Sequence, residues 1–278
     1  MSDKPGRSAT KAPASQAETY DSFEDLGLLY DHVGAYNART DIGFYVDEAT
    51  HAEGKVLEIA SGTGRVMLPI ARAGNEITGV ELSRKMIDRC RERVAGEADE
   101  VRARITLVEG DMRDFAVDDR FALAIIPFRP MQHLMTIDDQ LSCLDAIRRH
   151  LVPGGRLIFD VFNPDLARIG SPSAAEWNDT PETPLPDGSS FRRTGRMVEV
   201  HRVDQVNDVE LIYHLTFPDG TTERRVHAFG MRWYLRPELE HLVARAGFTL
   251  DAIYGNFDRS ALTDASPEMV VVASTGAW

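Results

Sequence analysis

The chain is predicted to be an α/β protein, a doubly wound and mostly parallel sheet into which an antiparallel β segment is inserted late. Three observations carry this. Short apolar runs alternate with helical stretches of about ten to fifteen residues between positions 55 and 162, the grammar of βαβ units. Several of those runs end in glycine or in a carboxylate, as at Glu81 and Gly110-Asp111. From Val209 to Phe217, apolar and polar residues then alternate with a period of two, which a helix cannot satisfy.

Residues 1–17 are rich in Ser, Ala, Lys and Pro and lack the apolar stretch of a signal peptide, so a disordered tail is expected. Residues 18–52 are expected to form a helical cap, with Leu28, Leu29 and Val33 on one stripe and Phe44, Tyr45 and Ala49 on another. A first strand at 55–60 leads through a glycine turn into a helix at 66–73 closed by Gly74. A second strand follows at 77–80. Ser83 then caps a helix whose Met86, Cys90 and Val94 recur every fourth residue.

The third strand is placed at 105–108 and the fourth at 121–126, whose wholly apolar side chains suit a central position. Thr136 caps the next helix, and a fifth strand at 156–162 follows Pro153-Gly154-Gly155. Residues 169–190, with Pro172, Pro181, Pro184, Pro186 and Gly188, read as a loop. Strands at 197–203, 209–217 and 221–234 then form a three-stranded antiparallel sheet with one apolar face. Pro237 opens a helix that Gly247 ends, and strands at 248–254 and 269–273 complete the core. The expected division is therefore a core at 53–163 and 236–278, with the insertion at 164–235 as a lid or substrate region.

The formal net charge is −13, and no long basic stripe occurs. Phosphate neutralisation supplies most of a nucleic-acid binder's affinity, so such a partner is disfavoured. No run reaches the roughly 18 apolar residues of a membrane span, which makes the cytoplasm the expected location. The two cysteines, Cys90 and Cys143, lie in helical stretches and read as buried small hydrophobes, without a disulfide or metal role.

The segment Glu58-Ile-Ala-Ser-Gly-Thr-Gly64 is the most informative. Glycines between a strand end and a helix start permit positive φ and let a ligand approach the backbone. A dinucleotide fingerprint would need glycine where Met67 stands, and no Lys-Ser/Thr pair follows to make a P-loop. Glu81 can accept hydrogen bonds from ribose hydroxyls. Asp111 can accept from an adenine amino group or simply cap a turn, while Met112 packs on a ring.

Together these motifs, with Leu151-Val-Pro-Gly-Gly155, resemble the class I S-adenosylmethionine (SAM)-dependent methyltransferases. The resemblance implies a seven-stranded Rossmann-like sheet with its last strand antiparallel and the cofactor at the C-terminal strand ends. It implies SAM as cofactor and a cofactor set comprising Glu58, Ala60, Gly62, Gly64 and Arg65 after strand one, with Glu81, Leu82 and Met86 after strand two. Gly110, Asp111 and Met112, Pro127 and Phe128, and Tyr30 from the cap complete it.

Tyr30-Asp31, the segment from Pro127 to Leu134 and the β insertion are similar to those of amino-sugar and glycine N-methyltransferases. His133 falls where the former place a general base, so it is the catalytic candidate; a structural or substrate-orienting role is the alternative reading. Arg129, Tyr213, Arg232, Trp233 and Tyr234, with His214, are weaker substrate candidates, since such aromatic residues also build an insertion's own core. The expected reaction is methyl transfer to a nitrogen or oxygen of a small molecule, with a homodimer as the candidate assembly. The competing readings are an NAD(P)-dependent oxidoreductase and a non-catalytic SAM-binding regulator.

Overall fold

The protein is described by a computed structural model covering residues 21, 23, 25–173 and 175–276. The tail expected at 1–17 lies outside the described residues. Three short helices open the described chain: α1 (Leu26–Asp31), α2 (Gly34–Asn37) and α3 (Asp41–Thr50). The core runs β1 (Val56–Ile59), α4 (Met67–Arg72), β2 (Ile77–Glu81), α5 (Arg84–Ala95), α6 (Asp99–Arg102), β3 (Ile105–Glu109) and β4 (Phe121–Ile126). A 3₁₀ turn at Pro130–His133 precedes α7 (Ile137–His150) and β5 (Leu151–Phe162). Ser83 and Thr136 cap α5 and α7, their hydroxyls accepting from the N–H of Met86 (3.2 Å) and Asp139 (3.0 Å).

After α8 (Leu166–Gly170) come β6 (Trp177–Pro184), β7 (Ser190–His201), β8 (Val206–Thr216) and β9 (Thr222–Arg232). The chain closes with α9 (Arg236–Arg245), β10 (Thr249–Tyr254) and β11 (Glu268–Ser274). The large sheet has seven strands in the order β10-β11-β5-β4-β1-β2-β3. Its pairs are parallel except those of β11, which runs antiparallel to β5 and β10. β4 is the middle strand, and all but one of its residues are buried, as its apolar run requires.

The order reverses between β1 and β4: the chain moves outward to β2 and β3, then returns and builds in the other direction. Connections diverge at such a point and leave a crevice beyond the carboxyl ends of the strands. One face of the sheet is covered by α7 and α9, the other by α3, α4 and α5.

Two local expectations are corrected. Pro153-Gly154-Gly155 lies inside β5, because pairing jumps from Phe121↔Leu151 to Leu123↔Arg156 and the glycines absorb the irregularity. A Cβ on Gly155 would stand 2.8 Å from the Val152 carbonyl oxygen. Part of the region read as a loop is strand β6, which makes the second sheet four-stranded, ordered β6-β7-β8-β9. β6 is an edge strand with two register shifts, and an edge tolerates Pro181 and Pro184 because one row of N–H groups needs no partner.

The apolar face of this second sheet packs on α1. Leu26, Leu29 and Val33 meet Leu185, Phe191, Tyr213 and Leu215 in one buried cluster. None of the helices among the described residues is long and apolar enough to cross a membrane.

Candidate functional site

The crevice at the β1/β4 reversal holds a cleft of about 730 Å³, its open mouth included. That size suits a small-molecule ligand. Each neighbouring strand end contributes to its wall: Ala60 and Gly62 after β1, Glu81 and Leu82 at the end of β2, Gly110 and Met112 after β3. Met86 on α5, Pro127 and Phe128 after β4, His133 on the 3₁₀ turn and Tyr30 on α1 line the rest. Eleven sequence-predicted site positions thus converge from seven separate segments, counting Tyr30, Ala60, Gly62, Glu81, Leu82, Met86, Gly110, Met112, Pro127, Phe128 and His133.

The glycine turn is built for close approach. Gly62 has φ +55°, and a Cβ placed there would meet nothing within 4 Å, so its Cα faces open space. Glu81 ties this turn to the next one. Its carboxylate accepts from the N–H groups of Gly62 (2.9 Å), Leu82 (2.9 Å) and Ser83 (2.8 Å). Burial raises its pKa while those three bonds oppose the rise. A carboxylate offers about four acceptor positions, so Glu81 keeps capacity for a ligand hydroxyl.

Other predicted cofactor residues stand behind the wall. Gly64 (φ +79°) faces α5, where a Cβ would lie 2.7 Å from Cys90 Sγ. Arg65 grips Asp41 with both terminal nitrogens (2.9 and 2.6 Å) and stacks 4.9 Å from the centre of the Phe128 ring. Glu58 is buried, with Oε2 unpartnered; burial is the main cause that pushes its pKa to about 8. Asp111 is not among the residues lining the cleft. Burial disfavours its charge, but Arg113 outweighs this with a 2.6 Å ion pair and a backbone bond, holding Asp111 below the usual carboxylate range. Its bond from the Arg113 N–H is the turn contact expected from sequence.

His133 is partly buried, lines the cleft and lies 5.3 Å, ring centre to ring centre, from Phe229. Burial lowers its pKa to about 4, against the opposing effect of a hydrogen bond with the Gly230 backbone. The ring is therefore neutral near pH 7. Tyr30 and Phe128, which also line the cleft, form an aromatic cluster with Tyr36 at centroid separations of 4.7 to 6.2 Å.

The substrate candidates largely fall elsewhere. Arg129 is paired with Glu268 at 2.5 Å, so its charge is already matched. Tyr213 is only 1% exposed and accepts from Arg193 Nη1 at 3.1 Å within the cluster under α1. His214 points to the opposite face of that sheet, between Arg192 and Arg224. Arg232 lines a different recess and bonds Glu238 and the Asp204 carbonyl. Tyr234 is buried in the core, its hydroxyl donating to the Met131 carbonyl at 2.9 Å, and Trp233 is buried beside it. Alternation ends with β9 at Arg232, so these two aromatics do not continue the face of the sheet.

Several residues near the cleft were not predicted from sequence as site residues: Ser83, Pro130 and Tyr36, and behind them Asp160 and Gln132. Asp160 carries a readable signal, a lone carboxylate within the apolar strand Leu-Ile-Phe-Asp-Val-Phe. Gln132 carries none.

Residues 56–155 match the family described as a methyltransferase domain. The dTDP-3-amino-3,4,6-trideoxy-alpha-D-glucopyranose N,N-dimethyltransferase of Streptomyces venezuelae is 27% identical over 209 residues, covering 73% of this chain and 76% of that protein. The putative methyltransferase YqeM of Bacillus subtilis is 25% identical over 140 residues; the match covers 50% of this chain and only 55% of that protein. Among solved structures, the CcbJ methyltransferase of Streptomyces caelestis superposes with a TM-score of 0.71 at 22% identity, covering 91% of this chain and 97% of that one. Residues 56–155 thus form a methyltransferase domain, set in a core with the Rossmann-like fold of the solved methyltransferase. An oxidoreductase reading would leave both the matched domain and the missing third glycine unexplained.

Proposed function

We propose that the chain transfers a methyl group from SAM to an amine nitrogen of a small molecule, with an amino sugar as the leading substrate class. One observation carries the reading: the cleft that His133 lines has Tyr30 and Phe128 in its wall and no cationic side chain, Glu81 being its one charged lining residue. The nearby cations Arg39, Arg65 and Arg129 are matched by Asp41, Asp160 and Glu268. Such a wall disfavours a carboxylate, which would be desolvated without a partner, and suits an amine, whose cationic form aromatic faces attract. The similarity to an amino-sugar N,N-dimethyltransferase points the same way.

The residues present fit the cofactor. Gly62 leaves its backbone open, Glu81 can accept from ribose hydroxyls, and Met86 and Met112 offer apolar surface for a base. Ala60, Leu82, Gly110, Pro127 and Phe128 complete the binding wall, with Tyr30 closing it from α1. Bound SAM supplies a methyl group already activated on a sulfonium. The protein's part is alignment and water exclusion, which in favourable cases contribute ~7–11 kcal/mol. His133, neutral because burial disfavours its imidazolium, orients the attacking nitrogen by accepting a hydrogen bond, and the proton that the methylated nitrogen loses passes on to solvent.

The proposed division assigns 53–163 and 236–278 to the cofactor-binding core and 164–235 to a lid over the substrate side. The same reading places the enzyme in the cytoplasm, acting on a diffusible small molecule and without nucleic acid or membrane as partner. A homodimer is tested by light scattering.

The decisive assay incubates the protein with SAM and a panel of amino sugars, simple amines, phenols and carboxylates, reading S-adenosylhomocysteine (SAH) formation and product mass. Turnover confined to amines supports the proposal. Turnover of phenols alone would replace nitrogen by oxygen.

A further inference from the structure

The segment that brings Phe128 and His133 to the cleft is held in a conformation its sequence does not favour. Phe128 and Arg129 have φ of +70° and +72°, two consecutive non-glycine residues in the left-handed region. Such outliers persist only where surrounding structure determines them, and they concentrate at functional sites. Two buried polar side chains provide that determination here.

Asp160, in β5, accepts from the Phe128 N–H at 2.7 Å, from the Tyr45 hydroxyl at 2.7 Å and from Arg39 at 3.2 Å. It is fully buried. Gln132, also fully buried, stands next to His133 and bridges two strands. Its Nε2 donates to the Arg232 carbonyl at the end of β9 (2.6 Å), and its Oε1 accepts from the Phe162 N–H at the end of β5 (3.0 Å). One anchor thus fixes the start of the turn and the other its end. Gln132 also connects the turn to the second sheet, whose Phe229 and Gly230 adjoin the His133 ring.

We infer that Asp160 and Gln132 are positioning residues for methyl transfer: acting through the Phe128 backbone and the 3₁₀ turn, they set where Phe128 and His133 stand against the substrate. The inference rests on the transfer reaction occurring in this cleft with His133 beside the nucleophile. Neither side chain itself lines the cleft.

The test combines kinetics with histidine NMR, the His133 signal being assigned by its loss in His133→Gln. In Gln132→Met and in Asp160→Ala, kcat is expected to fall about 100-fold while the SAH dissociation constant changes by less than about tenfold, the pattern of a misplaced reacting group. The His133 titration midpoint should rise from about 4 toward the ordinary 6.5 as its packing loosens. Asp160→Asn keeps an oxygen for the Phe128 N–H and should recover most of the activity lost in Asp160→Ala.

Tyr45→Phe retains its ring in the core and removes one donor to Asp160; it should show the same changes at smaller amplitude, even where Gln132→Met does not fold. Folded variants with an unmoved His133 signal and unchanged kcat overturn the inference, as does a kcat loss matching only the loss of folded protein. A wild type that turns over no amine, with variants that still move the His133 signal, would retire the amine proposal and leave the positioning role standing.

Discussion

Gly62 and Gly64 lie two positions apart in one turn, both with positive φ, yet replacing each by alanine should fail in a different assay. At Gly64 the added Cβ must adopt a left-handed conformation, costing about 1–2 kcal/mol. It would also lie 2.7 Å from Cys90 Sγ, a buried atom on α5, so α4 and α5 must separate or Cys90 must shift. Overpacking of that kind costs a further 1–3 kcal/mol or so. The sum, about 2–5 kcal/mol, corresponds to a Tm lowered by roughly 5–15 °C in a chain of this size.

At Gly62 the same backbone cost applies, but nothing lies within 4 Å of the added methyl group, so the Tm should fall by only roughly 2–6 °C. That methyl instead occupies space at the cleft wall, and SAH affinity should weaken about ten- to hundredfold, as 1–3 kcal/mol of overpacking implies. Thermal melts by circular dichroism and calorimetric titration with SAH read the two effects separately. Equal destabilisation by the two variants, or full SAH affinity in Gly62→Ala, would refute the assignment of one glycine to packing and the other to the ligand.

Three further outcomes follow from the site. Glu58 has its folded pKa raised to about 8 from an ordinary 4.5, so its contribution is present at low pH and lost as pH rises through 8; the protein should be about 2 kcal/mol more stable at pH 6.5 than at pH 8.5, and Glu58→Gln should flatten that slope in chemical denaturation. Asp31 accepts from Thr63 Oγ1 (2.6 Å), Arg89 Nε (2.7 Å) and Arg93 Nη1 (3.3 Å), tying α1 to the glycine turn and α5; Asp31→Ala should speed SAH dissociation about tenfold in stopped flow, and an unchanged rate would show that α1 does not gate the cleft. His133→Gln should lower kcat by about 10²-fold or more with SAH affinity retained if the ring orients the attacking nitrogen, and unchanged turnover would remove it from the chemistry.

The core was legible because its signals are local. Strand runs, the caps at Ser83 and Thr136, the glycine turn and the carboxylate at Glu81 each declare themselves within a few residues, and the order of βαβ units leaves few ways to assemble them. The seven-stranded sheet with its last strand antiparallel came through family resemblance, and the strand order came from the structure. β6 was hidden because Pro181 and Pro184 argue against a strand unless its edge position is known. The misplacement of Tyr213 and Tyr234 has a similar origin. Aromatic character says that a side chain will be buried, but whether α1, the core or a ligand covers it depends on which element packs on that face.

Asp160 shows what kind of information sequence withholds and structure supplies. A carboxylate in an apolar strand is conspicuous from its neighbours alone, since burying it unpaired would cost several kcal/mol. Its partners Tyr45 and Phe128 stand 115 and 32 positions away, and Arg39, at 121, reaches it from the link between α2 and α3. The strained turn at Phe128-Arg129 has no signature of its own, because neither residue favours positive φ. Its conformation is a consequence of what holds it. Segments that look unremarkable in sequence but adopt unfavourable backbone angles are therefore the places where a distant polar anchor should be sought, and here that search leads from the cleft wall to β5.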